Sequence, residues 1–175
     1  MSDIYDRVVG EQDAVTKIIA KIPGFSGYVE RADRRMSDKL LREQVANTFE
    51  PLYQRISSLQ RQLISQGGLT YIDELEAAAI KLRQFIDRVR TASYGYAGVF
   101  DAVKVKADDL ARIYQFDLEL LNLEETVQRA IENVEVSIGT DGLPAALQNL
   151  ITTAQECIDT FNKRSEALKG IAASW

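Results

Sequence analysis

The sequence predicts an all-α fold: an antiparallel up-down four-helix bundle with an additional N-terminal helix. Three observations carry that expectation. Apolar residues recur at three- and four-residue spacing along most of the chain, the mark of helices with one buried face. Only 3 prolines and 10 glycines punctuate 175 residues. Most of them cluster at points that separate the periodic stretches. A chain of this length fits one domain, residues 1–175, and can bury a real core.

The first helix is expected over about 2–22, with Ser2 as its cap and Ile4, Val8, Val15, Ile19 and Ile22 on one face. Pro23-Gly24 ends it, and Phe25 to Tyr28 reads as a turn. A second helix is expected over about 29–66, on the stripe Leu41, Val45, Thr48, Leu52, Ile56, Leu59 and Leu63. Pro51 lies inside it. A proline there removes one hydrogen bond and crowds the preceding turn, which predicts a kink or break near Pro51.

Gly67-Gly68 closes the second helix, and Thr70 is a candidate cap for a third over about 70–93. That helix carries an unbroken heptad through Ile72, Leu75, Ala79, Leu82, Ile86 and Val89. Residues from Tyr94 to Lys106 follow no clear period and read as a structured loop. The fourth helix, about 107–138, begins with Asp108 and Asp109 placed against its positive N-terminal end. The fifth, about 144–170, has Pro144 in its first turn and Gly170 at its close. Short turns at Gly67-Gly68-Leu69 and at Gly139 to Leu143 make their flanking helices antiparallel neighbours.

Composition excludes more functions than it suggests. There is no histidine in the chain, which removes His-based triads, the common general base, His/Cys zinc sites and the Glu-x-x-His motif of di-iron bundles. No cofactor and no metal follow from the residues present. A net charge of −5 opposes attraction to phosphate backbones or anionic lipid, so no nucleic acid is expected and membrane contact only as weak or indirect. One cysteine, Cys157, no secretory signal and no apolar run long enough to span a bilayer suit the cytoplasm. Cys157 lies beside the fifth helix's seam and reads as a small buried side chain.

Two constellations remain. The bundle topology places the Pro23–Tyr28 turn, the 94–106 loop and the C-terminus at one end. That end collects Phe25, Tyr28, Tyr94, Tyr96, Phe100 and Trp175 with Arg31, Arg34, Arg35, Lys39, Arg90, Asp101 and Lys104. Aromatics beside arginines suit a partner-binding patch or an anion site. They equally suit a plug, with the arginines paired to Glu30, Asp33 and Asp38 along the helix. The second constellation is a polar seam. Asp117 and Glu124 stand where the fourth helix's pattern asks for apolar residues, and the turns set them level with Arg90 and Arg83 respectively. Two carboxylates without a nucleophile, a base or a phosphate loop do not make an enzyme, so none is expected.

Two segments also carry a resemblance. One is Ile22-Pro23-Gly24-Phe25-Ser26-Gly27-Tyr28-Val29-Glu30-Arg31, followed by Arg34-Arg35 and Asp38-Lys39-Leu40-Leu41-Arg42. The other is Tyr94-Gly95-Tyr96-Ala97-Gly98-Val99-Phe100-Asp101, followed by Leu110, Tyr114 and Phe116-Asp117. Together they resemble a family of small helical bacterial proteins associated with genes for band-7 (SPFH) membrane-scaffold and zinc-ribbon proteins. The resemblance implies no catalytic residues and, at most, a partner near membrane scaffolds. The functional expectation is therefore a non-enzymatic interaction or scaffold bundle that docks a protein partner through the aromatic and arginine end; a homo-oligomer, with amphipathic helices in excess of the closed bundle packed on a second copy, is a variant. A small-molecule or anion binder using Arg31, Arg35 and Arg90 as clamps is the alternative. A membrane-associated scaffold partner using the amphipathic first helix is another.

Overall fold

Among the described residues, five helices of 20 residues or more pack against one another in the computed structural model: α1 (Ser2–Lys21), α2 (Arg31–Ser65), α3 (Ile72–Thr91), α4 (Ala107–Ser137) and α5 (Leu143–Ala173). The structure describes residues 2–92, 100–102 and 105–173, with side chains from residue 10 onward. No β-strand occurs among the described residues. Tyr94, Tyr96, Lys104 and Trp175 lie outside them, as does most of the expected 94–106 loop; within it, Phe100 and Asp101 are helical.

Most predicted seam residues are buried. In α2, Leu41, Val45, Leu52, Ile56, Leu59 and Leu63 face the core, while Phe49 takes the place expected for half-buried Thr48. In α1 the stripe is displaced by one residue. Ala14, Ile18 and Ile22 are buried and Ile19 is 49% exposed. The two candidate stripes share Ile22, and what decides between them is the face that α1 turns toward α4.

Helix ends differ from expectation for local reasons. α2 begins at Arg31 because Glu30 is extended, with φ −80° and ψ 128°. It runs unbroken through Pro51, so the expected break does not occur. Pro51 and Asn47, whose carbonyl loses its donor, are both on the exposed face, where water can serve that carbonyl. α2 closes in a Schellman motif: Gly68 N–H donates to Leu63 O at 2.8 Å and Gly67 N–H to Ile64 O at 3.2 Å. Gly67 supplies the positive φ of 76° that this motif needs. Thr70 does not cap α3; it sits inside a single 3-10 turn, Leu69–Tyr71, that leads into the helix. Gly170 does not end α5, which continues to Ala173.

The helix pairings place the rest. α2 packs on α3 and α4, α5 packs on α3 and α4, and α1 packs on α4. Side chains fix the relative directions. Lys81 reaches Gln155 and Arg88 reaches Asn162, a constant offset that makes α3 and α5 parallel neighbours. Arg55 forks onto Glu135 from α2 to α4.

Candidate functional site

The Ile22–Tyr28 segment is where α1 is joined to the other helices. Gly24 and Gly27 have φ of 86° and 88°, a region open to glycine and strained for other residues. Gly27 is required twice, because a Cβ there would lie 2.7 Å from the Tyr114 hydroxyl. The close approach lets Tyr28 N–H donate to that hydroxyl at 2.9 Å, while Ser37 Oγ donates to Gly27 O at 2.8 Å. Lys21 lies beside Asn122 and Tyr28 beside Tyr114. The segment therefore descends α4 by about 12 Å, at 1.5 Å per residue.

Tyr28 ends that descent in the interior. Its ring packs edge-on to Phe25 at 5.6 Å, against Tyr114 at 5.3 Å and stacked with Phe100 at 6.5 Å. Its hydroxyl donates to Asp117 Oδ2 at 2.5 Å. Arg164 Nε donates to Asp117 Oδ1 at 2.6 Å, and Arg164 Nη2 to Asp38 Oδ1 at 2.9 Å. Arg42 Nε completes the row by donating to Asp38 Oδ2 at 2.8 Å. Two carboxylates and two guanidinium groups, drawn from α2, α4 and α5, thus alternate through the core. Arg164, Asp117 and Asp38 are at most 2% exposed. Opposite charges inside a low-dielectric interior hold one geometry, because a displaced partner would leave its neighbour buried and uncompensated.

Burial pushes the Asp117 carboxyl above the usual carboxylate range, opposed by the Arg164 charge and the hydrogen bonds from Tyr28 and Arg164. Burial, reinforced by the Asp117 charge, holds the Tyr28 phenol well above the ordinary tyrosine value. Burial also raises Tyr114. The Cys157 thiol, buried as the sequence predicts, is pushed up to about 12.

These contacts relocate several predicted site residues. Phe25, Tyr28 and Phe100 are buried plug residues. Arg34 is also buried, its guanidinium donating to the carbonyls of Tyr28, Val29 and Ala102 at 2.8, 3.3 and 2.5 Å. Arg35 is exposed and forks onto Asp101 at 2.9 and 3.0 Å, and Arg31 is exposed. The pairing of arginines with Glu30 and Asp33 does not form; Asp38 does pair, with Arg42 and Arg164.

Arg90 does not join Arg31 and Arg35. It pairs with Glu50 at 3.1 Å, about 28 Å along α2 from Arg31 at 1.5 Å per residue. Arg83 also holds Glu50, at 2.6 Å. The expected ion pairs of Asp117 with Arg90 and of Glu124 with Arg83 do not form: Asp117 pairs with Arg164, while both arginines of α3 turn to Glu50 of α2. Glu124 is half-buried.

Sequence reasoning missed Arg164. The signal was present: Cys157, Phe161, Arg164 and Leu168 follow core spacing, and all four are buried. Arg42 was also missed; besides Asp38, it donates to the carbonyls of Val89 and Arg90, closing the C-terminal end of α3.

Surface clefts of about 360–550 Å³ run along helix boundaries, and none of these is lined by Phe25, Tyr28, Arg31, Arg34 or Arg35. Among the described residues no cluster of three or more Asp, Glu or Cys is placed to hold a metal ion. No described helix is long and apolar enough to cross a membrane. Comparison of the chain with protein-family models, curated proteins and solved structures finds no match.

Proposed function

We propose that this protein is a non-enzymatic interaction scaffold that docks a protein partner on the outer surface of α2's first turns. The observation that carries this reading is an apolar and basic patch just outside the closed interior. Val29 is 63% exposed and Met36 55% exposed, where a large apolar side chain gains by being covered. Arg31, Arg35 and Lys39 are exposed on the same stretch, Arg35 paired with Asp101 and Lys39 with Glu43. Exposed apolar side chains on a stretch rich in arginine are a common composition for recognition surfaces. The buried network beneath supports the patch by holding α2, α4 and α5 in one arrangement, so the surface is pre-formed.

In the architecture that goes with this reading, α2 to α5 form a four-helix bundle of two antiparallel hairpins, α2/α3 and α4/α5. The pairings favour the ring order α2–α3–α5–α4, with α1 laid on α4. The resemblance to band-7-associated proteins would put the partner near a membrane scaffold.

The test is affinity capture from cells with the tagged wild-type chain and a variant combining Val29→Ser, Arg31→Glu and Met36→Ser. The reading expects specific partners to be lost from the variant while its thermal stability is retained. An unchanged set of partners would refute it.

A further inference from the structure

We infer that the interior beneath the 22–28 segment is a binding socket for one neutral phenol, and that Tyr28 fills it as a ligand carried on the chain. Two observations point to a socket rather than to continuous core packing. The first is how the side chain is held. Its hydroxyl donates to Asp117 Oδ2 at 2.5 Å and accepts from Arg164 Nη2 at 3.3 Å, so one group on the ring meets both an acceptor and a donor. The ring lies against Tyr114 of α4 and Phe100, at centroid distances of 5.3 and 6.5 Å, with Phe25 edge-on at 5.6 Å.

The second observation is that the polar end of the socket is assembled without Tyr28. Asp117 is held by Arg164 at 2.6 Å, Arg164 by Asp38 at 2.9 Å, and Asp38 by Arg42 at 2.8 Å. These bonds lie within and between α2, α4 and α5, and removing the ring of residue 28 takes none of them away. Apolar side chains slide partly into a cavity left beside them. Charged neighbours bonded to one another resist that movement, because shifting one would strand the other where water does not reach. Tyr28→Ala therefore leaves a hole with the shape and the polar partners of the atoms removed, and those atoms are the atoms of phenol.

The same groups set the chemistry of the ligand. Benzene would fill the place of the ring but leave Asp117 Oδ2 without the hydroxyl donor. An ionised phenol or a carboxylate would meet the Asp117 charge at contact distance. Burial, and then that charge, already hold the Tyr28 phenol in its neutral form. One aromatic ring bearing one neutral hydroxyl is the class that satisfies both ends of the socket.

The test is thermal unfolding of full-length wild type, Tyr28→Ala and Tyr28→Phe, each with phenol or benzene added. Phenol should raise the melting temperature of Tyr28→Ala saturably, since a ligand bound only by the folded chain stabilises it by mass action. Benzene should bind at least about tenfold more weakly, because a hydrogen bond to a charged acceptor is worth that factor or more. Wild type and Tyr28→Phe, whose sockets already hold a ring, should gain nothing from either compound. If Tyr28→Ala is unfolded in buffer, phenol should restore its helical circular dichroism where benzene does not. A variant that phenol neither stabilises nor restores would overturn the inference. So would equal responses to phenol and benzene, the mark of a plain apolar hole, or a phenol response shared by wild type.

Discussion

Arg164 and Asp117 face each other at 2.6 Å with neither side chain reaching solvent. This pair determines how the interior responds to substitution, since each residue neutralises the other where water cannot. Arg164→Met alone strands the Asp117 carboxylate and leaves Asp38 with Arg42 as its cation, and it should cost about 3–5 kcal/mol. Combining it with Asp117→Leu removes both charges of the pair, so the double variant should lose less than the sum of the two singles. Urea denaturation of the four proteins in this cycle measures the coupling.

Alkaline stability should depend on Tyr28. Its phenol ionises well above the ordinary tyrosine range in the folded chain, through burial and then the Asp117 charge. The unfolded chain therefore releases this proton first. Stability is complete below the ordinary tyrosine value and falls as pH rises past it. In phenolate absorbance, Tyr28 and Tyr114 should titrate only together with unfolding, and Tyr28→Phe should remove one tyrosine from that late step.

Acid stability should depend on Glu50 with the opposite sign. Its hydrogen bond from Arg83, followed by the charges of Arg83 and Arg90, holds its carboxyl below the usual range. The stability it contributes is present above the ordinary carboxylate value and is lost as pH falls through the depressed one. Thermal melts of Glu50→Gln across the acid range should show a shallower fall than wild type.

Two backbone substitutions should move stability in opposite directions. Gly27→Ala combines a φ of 88° with a Cβ 2.7 Å from the Tyr114 oxygen, and should cost at least about 2 kcal/mol. Pro51→Ala returns a donor to the Asn47 carbonyl in a helix that is already continuous. It should stabilise the chain by about 1–3 kcal/mol. Denaturant midpoints read both.

Cys157 should resist thiol reagents in the folded state. Its sulfur is buried and its pKa is pushed to about 12, so little thiolate exists and none is accessible. Labelling should proceed at the rate of unfolding, which stopped-flow unfolding in the same buffer would match.

The helices themselves were legible because their buried faces repeat, as Leu75, Leu82, Ile86 and Val89 do in α3. Their arrangement was not. A heptad says that a face is buried but not which neighbour buries it, and α3 chose α5 over α4. Arg164 was passed over for the same reason that makes it informative: a charge at core spacing looks like an error until its partners are known. Those partners, Tyr28, Asp38 and Asp117, come from three separate segments. No local pattern links residues so far apart, and none decides between a patch and a plug for Phe25, Tyr28 and Phe100, which the structure buries.

That closed end is the centre of this account, and one proton reports on it. The Tyr28 amide lies outside any helix and is protected only by its bond to the Tyr114 hydroxyl and by the side chains packed around it. Native-state hydrogen exchange measures its opening directly. If the Tyr28–Asp117–Arg164 network closes the end, this amide should exchange as slowly as the core amides of α4 and α5. Exchange at the rate of an open loop would contradict the account and restore an accessible site among the aromatics.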